Sequence, residues 1–147
     1  MNETIIKNWN SKIGKYDFVY HIGDFALSDT LYFLDKLNGL IYLIIGNHDK
    51  DMLRYKKRFA GVWNLREIKI EDIPITLCHY AMRVWNKSHF NSWHLYGHSH
   101  GGLEPQGKSW DIGVDNNNFM PLSFEEIKII MSKRPDNFNF IKGRKLW

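Results

Sequence analysis

Leu40-Ile41-Tyr42-Leu43-Ile44-Ile45-Gly46-Asn47-His48-Asp49 is an apolar run with no polar alternation that stops at a glycine and gives way to polar side chains. Six apolar residues in a row read as a strand covered on both faces, and such strands belong to parallel sheets with helices packed against them. On the N-terminal side Leu31, Leu34 and Leu37 recur at helical spacing, and Asn38-Gly39 closes that helix. Further back, residues 17–22 are a second strand, rich in Val, Tyr and Phe, that runs into Gly23-Asp24. Ile5, Ile6, Trp9 and Ile13 form the apolar face of a first helix over residues 3–13, which Gly14 ends. On the C-terminal side Met52, Tyr55 and Phe59 mark a third helix closed by Gly61. Residues 62–70 and 75–78 then read as strands joined by the Glu71-Asp72 turn, and residues 93–96 and 109–114 as two more. Ser123-Phe124-Glu125-Glu126 is a capping box that opens a last helix reaching about Lys133. The alternation of helices and strands predicts an α/β fold.

The chain has 147 residues, 44% of them apolar and 15% aromatic, which predicts one ordinary globular domain. A domain of this size hides roughly 70% of its unfolded surface, so its core needs no metal or disulfide to close. The lone Cys78 excludes an internal disulfide and, inside an apolar run, reads as a reduced thiol of a cytoplasmic protein. No basic-then-apolar leader opens the chain, and its longest uncharged apolar stretch, residues 37–46, falls well short of the roughly 20 residues of a membrane helix. No membrane contact is expected. Lys142, Arg144 and Lys145 gather before Trp147, so the expected organisation is a domain over residues 1–133 and a basic tail over 134–147. A solvated tail and a weak nucleic-acid contact are the two readings of that charge.

Four separate strands end in potential metal ligands: Asp24; Asn47 with His48 and Asp49; His79; and His98 with His100. In open α/β sheets, ligands collect beyond the carboxyl ends of strands, where loops from different strands meet. Imidazole and carboxylate or amide donors without thiolates suit Mn, Fe, Zn, Ni or Co, whereas calcium prefers oxygen throughout. Each residue alone has a plainer explanation. Asp24 and Asn47 fit ordinary turns, Asp49 or Asp51 fits a helix cap, and His79 fits a satisfied core histidine. His94 and His98 match a helical zinc spacing, but the short aromatic run between them reads as strand. Two imidazoles in the Gly-bounded turn His98-Ser99-His100 are harder to explain structurally, and there the functional reading leads.

In order and approximate spacing, Gly23-Asp24, Gly46-Asn47-His48-Asp49, the isolated His79 and Gly97-His98-Ser99-His100 resemble the motifs of the calcineurin-like metallophosphoesterases. His21-Ile22-Gly23-Asp24-Phe25 and the runs 79–86 and 93–101 resemble the small bacterial and phage members of that superfamily, over about residues 1–133. The resemblance implies two mixed β-sheets packed as a sandwich flanked by helices, with no cap domain. It implies a dinuclear site in which Asp24 bridges, Asn47, His79 and His98 complete the second metal's shell, and His100 serves the first metal. His48 would protonate the leaving group or stabilise charge on the phosphoryl group, and Asp49 would orient it. Arg83, four residues beyond His79, is a candidate phosphate contact because guanidinium matches phosphate oxygens in pairs. The implied activity is hydrolysis of phosphomonoesters or phosphodiesters. The alternative is an interaction scaffold of the same fold that has lost catalysis, and a nuclease is a narrower form of the enzyme.

One departure from the family pattern stands out. Its first motif is Asp-x-His, yet none of the ten Asp residues here is followed two positions later by His. The expectation is therefore a chain lacking the first strand and two ligands of the first metal, with one tight metal site, a second weak one, and an exposed sheet through which copies could associate.

Overall fold

The chain builds two sheets, one wholly parallel and one mixed, in a computed structural model that describes residues 1–143. In chain order the elements are α1 (Asn2–Lys12), β1 (Phe18–Ile22), α2 (Thr30–Lys36), β2 (Leu40–Ile44), a 3₁₀ helix (Lys50–Arg58), β3 (Gly61–Trp63), β4 (Leu65–Ile70), β5 (Ile73–Cys78), β6 (Trp93–Tyr96), β7 (Ser109–Asp111) and α3 (Phe124–Ser132). The first sheet has the order β1-β2-β3 and the second β4-β5-β6-β7. All pairings in the first sheet are parallel, with Ile22 opposite Ile44 and Ile44 opposite Trp63. In the second, β4 and β5 form an antiparallel hairpin, and β5, β6 and β7 run parallel.

The apolar runs explain the layering. Ile22 and Ile44 face the second sheet and meet Ile75, Leu77 and Leu95, with Ile127 and Met131 of α3 in the same core. The opposite face of the first sheet presents Ile41 and Leu43 to Trp9 of α1 and to Met52 and Phe59 of the 3₁₀ segment. β2 is thus covered on both sides, which is why its sequence does not alternate. The capping box forms as the sequence predicts: the Ser123 hydroxyl accepts from the Glu126 N–H, and the Glu126 carboxylate accepts from the Ser123 N–H.

Several elements differ from the sequence expectation. The mixed character belongs to the second sheet alone. The single strand expected over residues 62–70 is two strands in different sheets, because the chain leaves the first sheet after Trp63, passes through Asn64 and enters the second at Leu65. The third helix is a 3₁₀ segment kinked at Tyr55. β7 stops at Asp111, whose carboxylate accepts the N–H groups of Gly101 and Gly113 and turns the chain. The expected boundary at residue 134 is no structural break. Asn137 is 4% exposed; its Nδ2 donates to the carbonyls of Ser88 and Ser92, and its Oδ1 accepts from the Lys108 N–H. The Ile141 N–H donates to the His89 carbonyl, so this stretch lies against the body. Arg144, Lys145 and Trp147, part of the expected tail, lie outside the described residues. Among the described residues no helix is long and apolar enough to cross a membrane.

Candidate metal centre

The parallel registers bring the strand ends together. β1 and β2 finish side by side at Ile22 and Ile44, and the Gly97 N–H donates to the His79 carbonyl just beyond the paired ends of β5 and β6. Asp24, His79 and His98 meet there: one ligand atom of each lies within 4.8 Å of the other two. Asn47 joins them, its Oδ1 standing 3.0 Å from His79 Nε2 and 3.0 Å from His98 Nδ1. His79 Nε2 is also 3.4 Å from Asp24 Oδ2. Four strand ends scattered between residues 24 and 98 therefore deliver four donors to one point.

The backbone pays for this approach with local strain. Asp24, His98 and His100 all adopt left-handed φ values of 52°, 63° and 47°. Such values are uncommon outside glycine and cost on the order of 1–3 kcal/mol each, and seven further non-glycine residues of the described chain adopt them elsewhere. Two glycines make the space. A Cβ at Gly46 would strike the Asp24 side chain and backbone, and one at Gly23, where φ is +84°, would strike the His79 ring.

The hydrogen bonds around the centre define what it can hold. His79 Nδ1 lies 2.8 Å from the Ile22 carbonyl, which can only accept, so Nδ1 carries a proton and Nε2 is left facing Asn47 Oδ1 and Asp24 Oδ2. A proton on Nε2 or a shared cation satisfies these oxygens equally, and the cation also engages Nε2 as a donor. Separations of 3.0 to 3.4 Å are also the edge lengths expected of donors that share one ion at about 2.1 Å. The donor set therefore fits a divalent transition metal, with His79 held in the correct tautomer by a backbone carbonyl, the usual second partner of a ligating histidine.

Asp49 plays a different part from the one the resemblance implies. It is 0% exposed, and its carboxylate accepts the backbone N–H groups of Asp24, Phe25 and Gly46 at 2.7–2.8 Å. It ties the loop after β1 to the loop after β2, and among the described residues it makes no hydrogen bond to the His48 ring. His48 is exposed, and its backbone N–H donates to Asp24 Oδ1 at 2.9 Å, which places its backbone at the rim of the centre.

His100 stands outside the cluster. Its Nδ1 lies 2.5 Å from Asp115 Oδ2, and that hydrogen bond is the first cause of the rise of its pKa above the ordinary histidine value. Arg83 is not among the convergent residues: its guanidinium lies 5.3 Å from the Phe138 ring centroid. His94 is fully buried; Nδ1 donates to the Thr76 carbonyl and Nε2 accepts the Met82 N–H, so it is a core residue anchoring the loop after His79. His21 packs between Trp9 and Phe25, and burial pushes its pKa down to about 4. Two contributors escaped the sequence reading. Tyr80 sets its ring edge-on within 5.0 Å of both His79 and His98, and its only signal was an aromatic residue directly after a candidate ligand. Asp115 follows Gly113 closely in the turn after β7, a signal too short to separate from an ordinary turn.

Comparison with known proteins places the chain in company without a described activity. Over 145 residues it is 31% identical to the uncharacterized protein MJ1445 of Methanocaldococcus jannaschii, an alignment covering 90% of this chain and 76% of the archaeal protein. The chain belongs to the same family as MJ1445. Its fold is also that of a protein of unknown function, AQ665 from Aquifex aeolicus, with a TM-score of 0.69, 24% identity, and coverage of 87% of this chain and 83% of that one. The chain matches no family model.

Proposed function

We propose that this protein is a divalent-metal-dependent phosphoesterase of the calcineurin-like type, with Asp24, Asn47, His79 and His98 as the shell of its tight metal site. The observation that carries the reading is the convergence of four nitrogen and oxygen donors from four different strand ends, with Asn47 Oδ1 3.0 Å from both ring nitrogens. A divalent cation bound there supplies positive charge to a phosphoryl oxygen and lowers the pKa of water. The remaining work falls to the chain's own residues. His48, exposed at the rim and pinned through its N–H to Asp24, delivers a proton to the departing oxygen. Tyr80 walls one side of the two ligating rings and limits how water reaches them. Asp49 holds the Asp24 and Asn47 loops in register before any ligand arrives. His100, directed at Asp115, serves a second and weaker metal position.

The test uses elemental analysis after dialysis against a weak chelator, together with hydrolysis of aryl phosphomonoesters and phosphodiesters in the presence of Mn, Fe, Zn, Ni or Co. One tightly held metal per chain is expected. Asp24→Asn should abolish both metal retention and turnover, whereas His48→Ala should keep the metal and lose roughly 10²–10⁴ in rate. Loss of the metal along with His48 would make it a ligand rather than the acid. Absence of turnover with every metal would favour the interaction scaffold.

A further inference from the structure

Positive charge gathers in two stretches of this chain, residues 133–147 and the 3₁₀ segment Lys50–Arg58, and the second leads from the candidate centre. The 3₁₀ segment Lys50–Arg58 carries five basic residues and one acid, a surplus equal to the net +4 of the whole protein, leaving fifteen basic and fifteen acidic residues everywhere else. All five are exposed, while Met52 and Phe59 are buried and fasten the segment to the first sheet. Arg58 pairs with Asp35 and Arg54 lies 3.9 Å from Asp51. Lys50, Lys56 and Lys57 form no ion pair among the described residues.

The segment starts at the candidate centre and leads away from it. The Met52 N–H donates to the carbonyl of Asp49, the clamp of the metal loops, and after the segment the Ala60 N–H donates to the Ile41 carbonyl, near the opposite end of β2. The basic residues thus descend the flank of the first sheet from the rim. At about 1.5–2.0 Å per residue the segment covers roughly 14–18 Å, long enough to lie along several successive phosphates of a nucleic-acid strand. An open groove of about 620 Å³ runs beside it, lined by Arg54, Lys56 and Lys57 together with Leu53, Phe59 and Val62. Cations interleaved with apolar surface suit a polymer that offers regular negative charge along one edge and sugars and bases along the other.

We infer that Lys50–Arg58 is a nucleic-acid track: a strand engaged at the metal centre continues along this flank, its phosphates on Arg54, Lys56 and Lys57. The inference rests on the phosphoesterase reading for the direction of the strand and narrows it to nucleic-acid phosphodiesters, but the binding itself needs no turnover. A small phosphate ester would occupy the centre alone and gain nothing from charges that recede down the flank.

Binding of a short labelled single-stranded oligonucleotide to the intact chain, followed by fluorescence anisotropy across a salt series with chelator present, tests the track. The triple substitution Arg54→Gln, Lys56→Gln and Lys57→Gln should lower the slope of log affinity against log salt by about two, since each lost contact removes roughly 0.7. Hydrolysis of a small aryl phosphodiester should be unchanged in that variant. The control is a second triple, Lys7→Gln, Lys15→Gln and Lys133→Gln, which removes the same charge from exposed positions elsewhere and should leave the slope nearly intact. Equal losses in both triples, an unchanged slope in the first, or equally effective competition by polyglutamate would overturn the track. A wild-type chain that binds in this way yet hydrolyses nothing would count against the phosphoesterase reading and leave the track standing.

Discussion

Asp49 and Asp115 are both carboxylates that hold a ligand-bearing loop, yet one is wholly buried and the other lies at the surface. Asp49 accepts three backbone N–H groups and locks the loops of Asp24 and Asn47 to each other. The loop of His98 and His100 is tied by Asp111 at the Gly101 N–H and, at its tip, by the exposed pair His100–Asp115. Charge-assisted hydrogen bonds away from water are strong and costly to orphan, whereas a solvated pair is worth little. Half of the centre is therefore set when the chain folds, and the other half remains adjustable. In the proposed reading, that difference would add to the shortage of ligands at the His100 position and weaken metal binding there.

The sharpest way to break the contrast is Asp49→Ala. It leaves three N–H groups buried and unpaired, so stability should fall by about 3–5 kcal/mol, measured by denaturant unfolding. A variant with native stability that loses only the His48-dependent rate would restore to Asp49 the orienting role that the family resemblance implies. Asp115→Ala should act more gently. Stability should change by less than about 1 kcal/mol, while calorimetric titration should show the second metal equivalent weakened roughly 10–100-fold and the first unchanged. Equal weakening of both equivalents would mean that the two halves are not separable.

The smallest effect concerns pH. Burial, the first cause, lowers the pKa of His94 beneath the ordinary value near 6.5 despite its bond to the Thr76 carbonyl. The unfolded chain then binds the proton more readily than the folded one, so stability should fall as pH drops below about 6.5 and continue falling until the folded-state pKa is passed. His94→Gln should flatten this part of the stability profile. If it does not, the loop after His79 is anchored elsewhere.

The strand ends were legible because a buried parallel strand has no reason to finish in Asp, Asn or His except a turn or a site, and four such endings coincide. Asp24, Asn47, His79 and His98 came from that argument. Asp49 was given the role of orienting His48 by the family resemblance, while its actual partners are backbone groups 24 residues away and within its own turn. The break at Asn64 was hidden because apolar residues continue on both sides of it, and no local pattern tells one sheet from another. Asn137 looked like part of a solvated tail because its acceptors, Ser88 and Ser92, are more than forty residues distant. The charge surplus of Lys50–Arg58 was present in the sequence too, but its apolar positions at Met52, Tyr55 and Phe59 drew attention to packing instead.

The left-handed backbone at His98 and His100 leaves a mark that could be read from living cells. In a saturation library scored for protein abundance, glycine at these two positions should equal or surpass histidine, because it adopts such φ values without steric penalty. In the same library scored for metal retention, glycine at position 98 should rank among the worst substitutions. Positions where the two rankings invert would trace the centre with no knowledge of its substrate, and the same experiment on the archaeal relative would show whether the strain is a property of the family.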